Sequence, residues 1–350
     1  MTNSLNDGPT SVALALRALR RYPDRAAFAW EGGELRGAGA LALIGRMQRA
    51  LHAAGFGRGT AMALLAANRA DAWCASVAAQ ALGGLITWLH PLGSLADHLD
   101  QIEDARATML AVDVPTYGER GEQLATAAPA LKTVLTLGPA PFGRDLLAAS
   151  EAAGEASPQD LTDPDGYALI SYTGGTTGKS KGAIRRHRSV AAMTAAILAD
   201  FEFPATPRYL AVAPITHVAG TKVLPVLLLG GTVHLVRGFD PGKTLALIER
   251  LKINFTLLVP TMIYMLLDNP LLSKTDLSSL ELLLYGASPM SPSRLMEGLE
   301  RIGPVFSQLY GQTECYPVSV LRKGDHDPKR PELFASCGAP ISTCRVRLLD

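Results

Sequence analysis

At 350 residues the chain is long enough for two or three lobes around a large core. With 33 basic against 32 acidic residues its formal charge is +1, which offers no electrostatic argument for binding nucleic acid or an anionic membrane surface. The four cysteines, Cys74, Cys315, Cys337 and Cys344, form no C-x-x-C pair and have no histidine at zinc-ligand spacing, so reduced thiols are expected and a structural zinc is not.

Met1 to Asp7 are polar and lack the apolar segment of a secretory signal. The run Val223–Leu229 is interrupted by Pro225, ends at Gly230, and is too short to cross a bilayer. A cytoplasmic protein without stable membrane insertion is expected. Val12, Leu14, Leu16 and Leu19 mark a first helix, and Leu41, Ile44, Met47 and Leu51 a second. The glycines of Gly55-Phe56-Gly57-Arg58-Gly59 follow a helix and precede a strand, the reverse of a dinucleotide fingerprint, so they predict a tight helix-to-strand turn.

Apolar runs then recur at 61–66, 85–89, 108–112, 132–137 and 167–172, separated by helical segments. A second series is predicted at 209–213, 232–236, 255–259, 281–285 and 305–309, with Val259-Pro260-Thr261 opening a helix. This alternation predicts an α/β protein with two packed sheets flanked by helices. The expected lobes are 56–189 around the first sheet, 1–55 with 190–335 around the second, and 336–350 opening a small β-barrel, since Arg345 to Asp350 alternates like a strand. Residues 138–166, rich in Pro, Gly, Ala and acids, read as a surface excursion, and the charged run Ala183 to Arg188 as a solvated helix start.

The most informative stretch is Tyr167 to Gly182. A short β-type run breaks into Thr173-Gly174-Gly175-Thr176-Thr177-Gly178-Lys179-Ser180-Lys181-Gly182. Glycines permit positive φ and close backbone approach, hydroxyls add donors, and lysines neutralise charge, which together predict a phosphate-handling loop. Walker A would require a glycine at position 173, which is Thr173, so the loop is one residue short of a P-loop. Downstream stand Ala213-Pro214-Ile215-Thr216-His217-Val218-Ala219-Gly220, Gly286-Ala287-Ser288-Pro289 and Tyr310-Gly311-Gln312-Thr313-Glu314, each beyond a predicted strand. By itself Ser291-Pro292 predicts a helix N-cap and first residue.

In this order the elements resemble the signatures of the AMP-forming adenylation enzymes, the superfamily of acyl-CoA synthetases, peptide-synthetase adenylation domains and luciferases, with Ser180 in place of a usual proline. The resemblance is greatest to the fatty-acyl and aryl-CoA ligase branch. It implies activation of a small carboxylic acid with ATP to an acyl-AMP, then transfer to the thiol of coenzyme A, with Mg²⁺. By resemblance Thr173 to Gly178 cradle the departing phosphates with Lys179 or Lys181 nearby; Thr176 and Glu314 hold Mg²⁺; Gly286 to Pro289 and Tyr310 to Gln312 fix adenine; Thr313 meets the α-phosphate. His217 and Gly220 border the acyl substrate, and Thr176, Lys181, His217 and Glu314 form the catalytic set. Lys222, just after this element, reads as a surface lysine, the other reading being contact with a polar or dicarboxylic substrate. The family's ribose-binding Thr-Gly-Asp element and its C-terminal lysine domain do not occur before Asp350, which implies a poorly active fragment carrying the larger domain. The alternatives are a catalytically dead nucleotide-binding or interaction protein, or a P-loop-type NTPase.

Overall fold

The strand–helix alternation is realised as a seven-stranded and a nine-stranded sheet among the residues described by the computed structural model, 8–173 and 180–349. The chain divides into two units, Met1–Ala27 with Glu34–Ala192, and Phe28–Gly33 with Met193–Asp350.

In the first unit the strand order is Arg144–Asp145, Thr133–Thr136, Met109–Val112, Ala61–Leu65, Leu85–Trp88, Tyr167–Tyr172 and Gly182–Arg186. All neighbours are parallel except the last two, which form an antiparallel hairpin. Ala61–Leu65 and Met109–Val112 are buried at every residue, which explains why they read as unbroken apolar runs: a parallel strand covered on both faces has no solvent side. Between them, Leu95–Asp104 is started by Ser94, whose hydroxyl and the Asp97 carboxylate form a capping box.

Residues 1–55, expected to accompany the second sheet as a block, are divided. Phe28 and Ala29 pair in parallel with Val233 and His234 of the second sheet. The helices Ser11–Arg21 and Gly37–Ala53 instead pack with Ala70–Ala81 of the first unit. Their apolar stripes need a partner that permits close approach, and the alanine-rich third helix provides one. The surface excursion at 138–166 also contributes packed structure: helix Leu146–Ala152 lies against Gly37–Ala53. There Gly45 leaves no room for a side chain, since a Cβ would lie 2.0 Å from the Ala156 carbonyl oxygen.

The charged run is a strand and not a helix start. Gly182–Arg186 pairs with Tyr167–Tyr172, and helix His187–Asp200 begins only after it. Arg185 and Arg186 fall on opposite faces of this edge strand; Arg186 is exposed, its guanidinium 5.3 Å from the Tyr167 ring centre, and charges on an edge strand discourage edge-to-edge pairing.

The second unit's strands run Ala339–Pro340, Ser319–Leu321, Phe306–Tyr310, Leu282–Tyr285, Phe255–Leu258, Arg208–Ala211, Thr232–Leu235, Ala26–Trp30 and Gly33–Arg36. The centre is parallel, with Leu210 opposite Thr256, Thr256 opposite Leu283 and Leu283 opposite Phe306. Leu210, Leu258, Ile263, Tyr285, Leu295 and Phe306 belong to one buried cluster beneath the flanking helices. Prolines open three of those helices, Pro241–Leu251, Pro260–Leu267 and Pro292–Arg301, where a missing N–H costs nothing. Ser291 stands at the last N-cap position, but its hydroxyl meets Ser293 Oγ at 2.9 Å and makes no capping bond.

The expected strand at 345–350 is not formed among the described residues. Ala339–Pro340 pairs with Ser319–Leu321 as an edge, while 341–349 contain no strand. Leu348 is 97% exposed: an alternating pattern stays irregular where no neighbouring strand supplies hydrogen bonds.

Candidate active site

In the first unit the strands on either side of the glycine-rich stretch pair as a hairpin. Tyr172 pairs with Gly182, and the Thr173 amide donates to the Lys181 carbonyl at 3.1 Å. Thr173 and Lys181, eight residues apart, thus meet at the hairpin neck, with Lys181 exposed. Gly174, Gly175, Thr176, Thr177, Gly178 and Lys179, expected to cradle phosphate, lie outside the described residues. The neck is tied down by Tyr172, whose hydroxyl donates to Asp104 Oδ2 at 2.7 Å. Burial and that carboxylate raise the phenol pKa. A Cβ at Gly182 would lie 2.7 Å from the Ile170 side chain.

In the second unit three predicted elements follow the carboxyl ends of parallel strands of one sheet, the edge where α/β proteins bind ligands. Leu282–Tyr285 runs into Gly286 to Pro289, and its neighbour Phe306–Tyr310 runs into Gly311 to Glu314. The two ends are pressed together at Gly286, where a Cβ would lie 2.4 Å from the Leu309 carbonyl oxygen. Ala287 then takes φ 69°, a left-handed conformation uncommon for a residue with a side chain. Backbone strain of this kind concentrates at binding sites. Ser288 and Pro289 continue the turn on the exposed side.

Tyr310 exposes its ring and accepts a hydrogen bond from Gln312 Nε2 at 3.2 Å. Gln312 and Cys315 exchange backbone bonds of 2.9 and 3.2 Å, forming a tight turn that carries Thr313 and an exposed Glu314. The Tyr316 ring packs on Gly311, where a Cβ would lie 2.6 Å from its edge.

The third element follows strand Arg208–Ala211. The His217 amide donates to the Pro214 carbonyl at 3.2 Å, the Gly220 amide to the His217 carbonyl at 2.9 Å, and Thr216 Oγ1 lies 2.7 Å from His217 Nδ1. The His217 side chain is exposed. Gly220 is obligatory here, since a Cβ would lie 1.7 Å from the Ile215 carbonyl oxygen. Beneath the turn the buried Tyr209 hydroxyl donates to the Ala219 carbonyl at 3.1 Å.

Two cavities of the first unit, of about 610 and 330 Å³, are lined by residues such as Ala13 and Arg20 in one and Arg58 and Asp163 in the other, and neither contains a candidate site residue.

A family profile described as AMP-binding enzyme matches residues 16–350. The chain belongs to that family. Among relatives of this AMP-binding enzyme, the medium/long-chain-fatty-acid–CoA ligase FadD8 of Mycobacterium tuberculosis is 40% identical over 345 residues, covering 96% of this chain and 60% of that protein. The indoleacetate–CoA ligase of Aromatoleum aromaticum is 30% identical, covering 93% of this chain and 62% of that one. Among solved structures, the amide bond synthetase McbA of Marinactinospora thermotolerans superposes with a TM-score of 0.85 at 29% identity, over 95% of this chain and 65% of the other. The chain therefore spans about three fifths of the length of these curated relatives, 60% and 62%.

Lys222, expected at the surface, is fully buried. Its Nζ donates to Thr221 Oγ1 at 2.8 Å and to the Tyr316 hydroxyl, and lies 4.8 and 5.2 Å from the Tyr316 and Phe201 ring centres. Burial pushes its pKa well below the ordinary lysine value. The one signal in the sequence was its position directly before the apolar run Val223 to Leu229, which faces the core.

Proposed function

We propose that the chain carries the nucleotide- and acid-binding part of an acid–thiol ligase that converts a fatty or aryl acid with ATP to an acyl-AMP and passes the acyl group to coenzyme A. The observation that carries this reading is the pair of adjacent strand ends, Gly286–Pro289 and Tyr310–Glu314. They combine an enforced glycine contact, a strained Ala287 and an exposed aromatic ring followed by a hydroxyl and a carboxylate. Relatives named as fatty-acid and indoleacetate CoA ligases support the substrate class.

In this reading the exposed Tyr310 ring stacks on adenine and the Gly286–Pro289 backbone borders it, while Gly311 gives room to the Tyr316 ring. Thr313 donates to the α-phosphate. His217 and Gly220 border the acid. A carboxylate is already ionised at neutral pH, so His217 shapes the pocket and removes no proton from the nucleophile. Joining two anions demands positioning and neutralisation more than a proton shuttle. The resemblance assigns that neutralisation on the pyrophosphate side to Thr173 to Lys179, most of which lie outside the described residues, with Lys181 at the hairpin neck.

Of the two Mg²⁺ donors the resemblance implies, Glu314 is an exposed carboxylate, a hard oxygen of the kind Mg²⁺ takes, and Thr176 lies outside the described residues. Mg²⁺ retains waters and binds phosphate oxygens, so when bound it would neutralise phosphate charge with few protein donors.

The test is calorimetry with AMP and Mg·ATP, followed by pyrophosphate exchange over a panel of fatty and aryl acids. Saturable AMP binding and acid-dependent exchange support the reading. No nucleotide binding, or ADP as the nucleotide product, refutes it. AMP binding without exchange on an extended chain points to an adenylate-binding protein without catalysis.

A further inference from the structure

The loop bearing Thr313 and Glu314 and the turn bearing His217 and Gly220 are joined by two residues that none of the motifs includes. Lys222 ends the short 3-10 turn Val218–Lys222. Its ammonium is withdrawn from solvent and meets two hydroxyls and two aromatic faces, with no carboxylate within ion-pair distance among the described residues. Thr221 Oγ1, which accepts from that ammonium, itself donates to the Val218 carbonyl at 2.7 Å. The lysine is therefore locked to its own turn at one side. At the other it holds the Tyr316 hydroxyl, and the same Tyr316 ring is packed on Gly311. Gly311 opens the turn closed by the Gln312–Cys315 backbone bonds, on which Thr313 and Glu314 stand. An unbroken series of contacts thus leads from Gly220 through Lys222 and Tyr316 to Glu314.

Such an arrangement is a poor choice for stability alone. Desolvating an ammonium without an acidic partner is costly, and an apolar residue of similar shape usually does at least as well in a core. Its directional donors, however, fix the Tyr316 ring where a methionine would leave it free to slide. We propose that Lys222 and Tyr316 form a latch that sets the 311–316 loop against the 214–222 turn, so that the nucleotide-contacting and acid-contacting elements keep one relative geometry. Lys222 is a positioning residue that acts through Tyr316. Its effect on binding rests on the nucleotide reading above, whereas its effect on the loop does not.

The experiment compares the parent chain with Lys222→Met, Tyr316→Phe and the double variant. Hydrogen exchange of the unliganded proteins tests the latch directly: exchange across 311–316 accelerates about tenfold in each single variant, the scale of one lost hydrogen bond, with the rest of the second unit unchanged. Affinity for AMP falls about five- to tenfold in each single variant, and the double variant is no weaker than the weaker single, because both remove one interaction. The melting temperature of Lys222→Met stays level or rises, so that faster exchange at 311–316 and weaker AMP binding are not the result of general destabilisation. Unchanged exchange at 311–316 overturns the latch, as does a double variant whose losses multiply. Parent protein that fails to bind AMP, with the exchange result intact, overturns the nucleotide reading and leaves the latch standing. Tyr316→Phe, which removes one oxygen, keeps the test valid should Lys222→Met not fold.

Discussion

Each unit buries a charged residue completely, and the two are treated in opposite ways. In the first unit Asp113 accepts from Arg69 Nη1 at 2.7 Å and from the Ala67 amide at 3.2 Å, while Arg69 also pairs with Asp71. The charge, at the carboxyl end of Met109–Val112, is answered by a countercharge and a backbone donor that follow the neighbouring parallel strand Ala61–Leu65. In the second unit Lys222 meets hydroxyls and ring faces and no carboxylate within ion-pair distance among the described residues, and it touches the loop that carries motif residues. A compensated buried charge stiffens a scaffold. An uncompensated one beside a binding loop marks a place where geometry is maintained at some cost to stability.

The largest expected effect breaks the first case. Asp113→Ala leaves Arg69 with Asp71 alone and the Ala67 amide without its acceptor, so unfolding by urea should show a loss of about 3 kcal/mol, the lower end for opening a buried pair. Next comes a steric challenge to the second unit. Gly286→Ala drives a methyl group against the Leu309 carbonyl oxygen and should cost about 2 kcal/mol, accompanied by loss of AMP binding in calorimetry.

His234 supplies an intermediate case, a half-buried base that the second unit keeps neutral. Burial first, then the nearby Arg208 charge, lowers its pKa from 6.5 to about 4. The unfolded chain binds that proton more readily, so the stability present above pH 6.5 is lost as pH falls toward 4. Melting temperatures of His234→Gln should fall less over that window than those of the parent, by the equivalent of about 1–2 kcal/mol once solvent screening is allowed for. The smallest effect, and the one that decides the comparison, is Lys222→Met. The folded pKa of Lys222 is lowered, so its contribution is present above the ordinary lysine range and lost as pH falls through the window below it. The variant should melt at or above the parent at pH 7, and the difference should close toward pH 10. A clear drop at pH 7 would place Lys222 with Asp113 as a scaffold residue.

Several features were legible from the chain alone. The parallel strands could be read because both-face burial leaves continuous apolar runs at Ala61–Leu65, Met109–Val112 and Leu282–Tyr285. The strand-end elements at Gly286 and Tyr310 could be read because close backbone approach and exposed polar groups demand particular residue types in a short span. The edge strand Gly182–Arg186 was missed because its charges satisfy a sheet edge as well as a solvated helix. The division of residues 1–55 was missed because a helical stripe says that a face will be buried but does not say against what.

By itself, then, the sequence determined what is local: periodicity, turn chemistry and the order of elements that places the chain among the AMP-binding enzymes. Only the tertiary structure decided which of two like-charged residues remains in solvent. Lys181 and Lys222 are both lysines next to a motif, yet one stands exposed at a hairpin neck and the other is sealed beneath Tyr316, 94 residues away in sequence. The physical reason is that burial of a charge depends on partners brought from distant strands, and no window of neighbouring residues contains them.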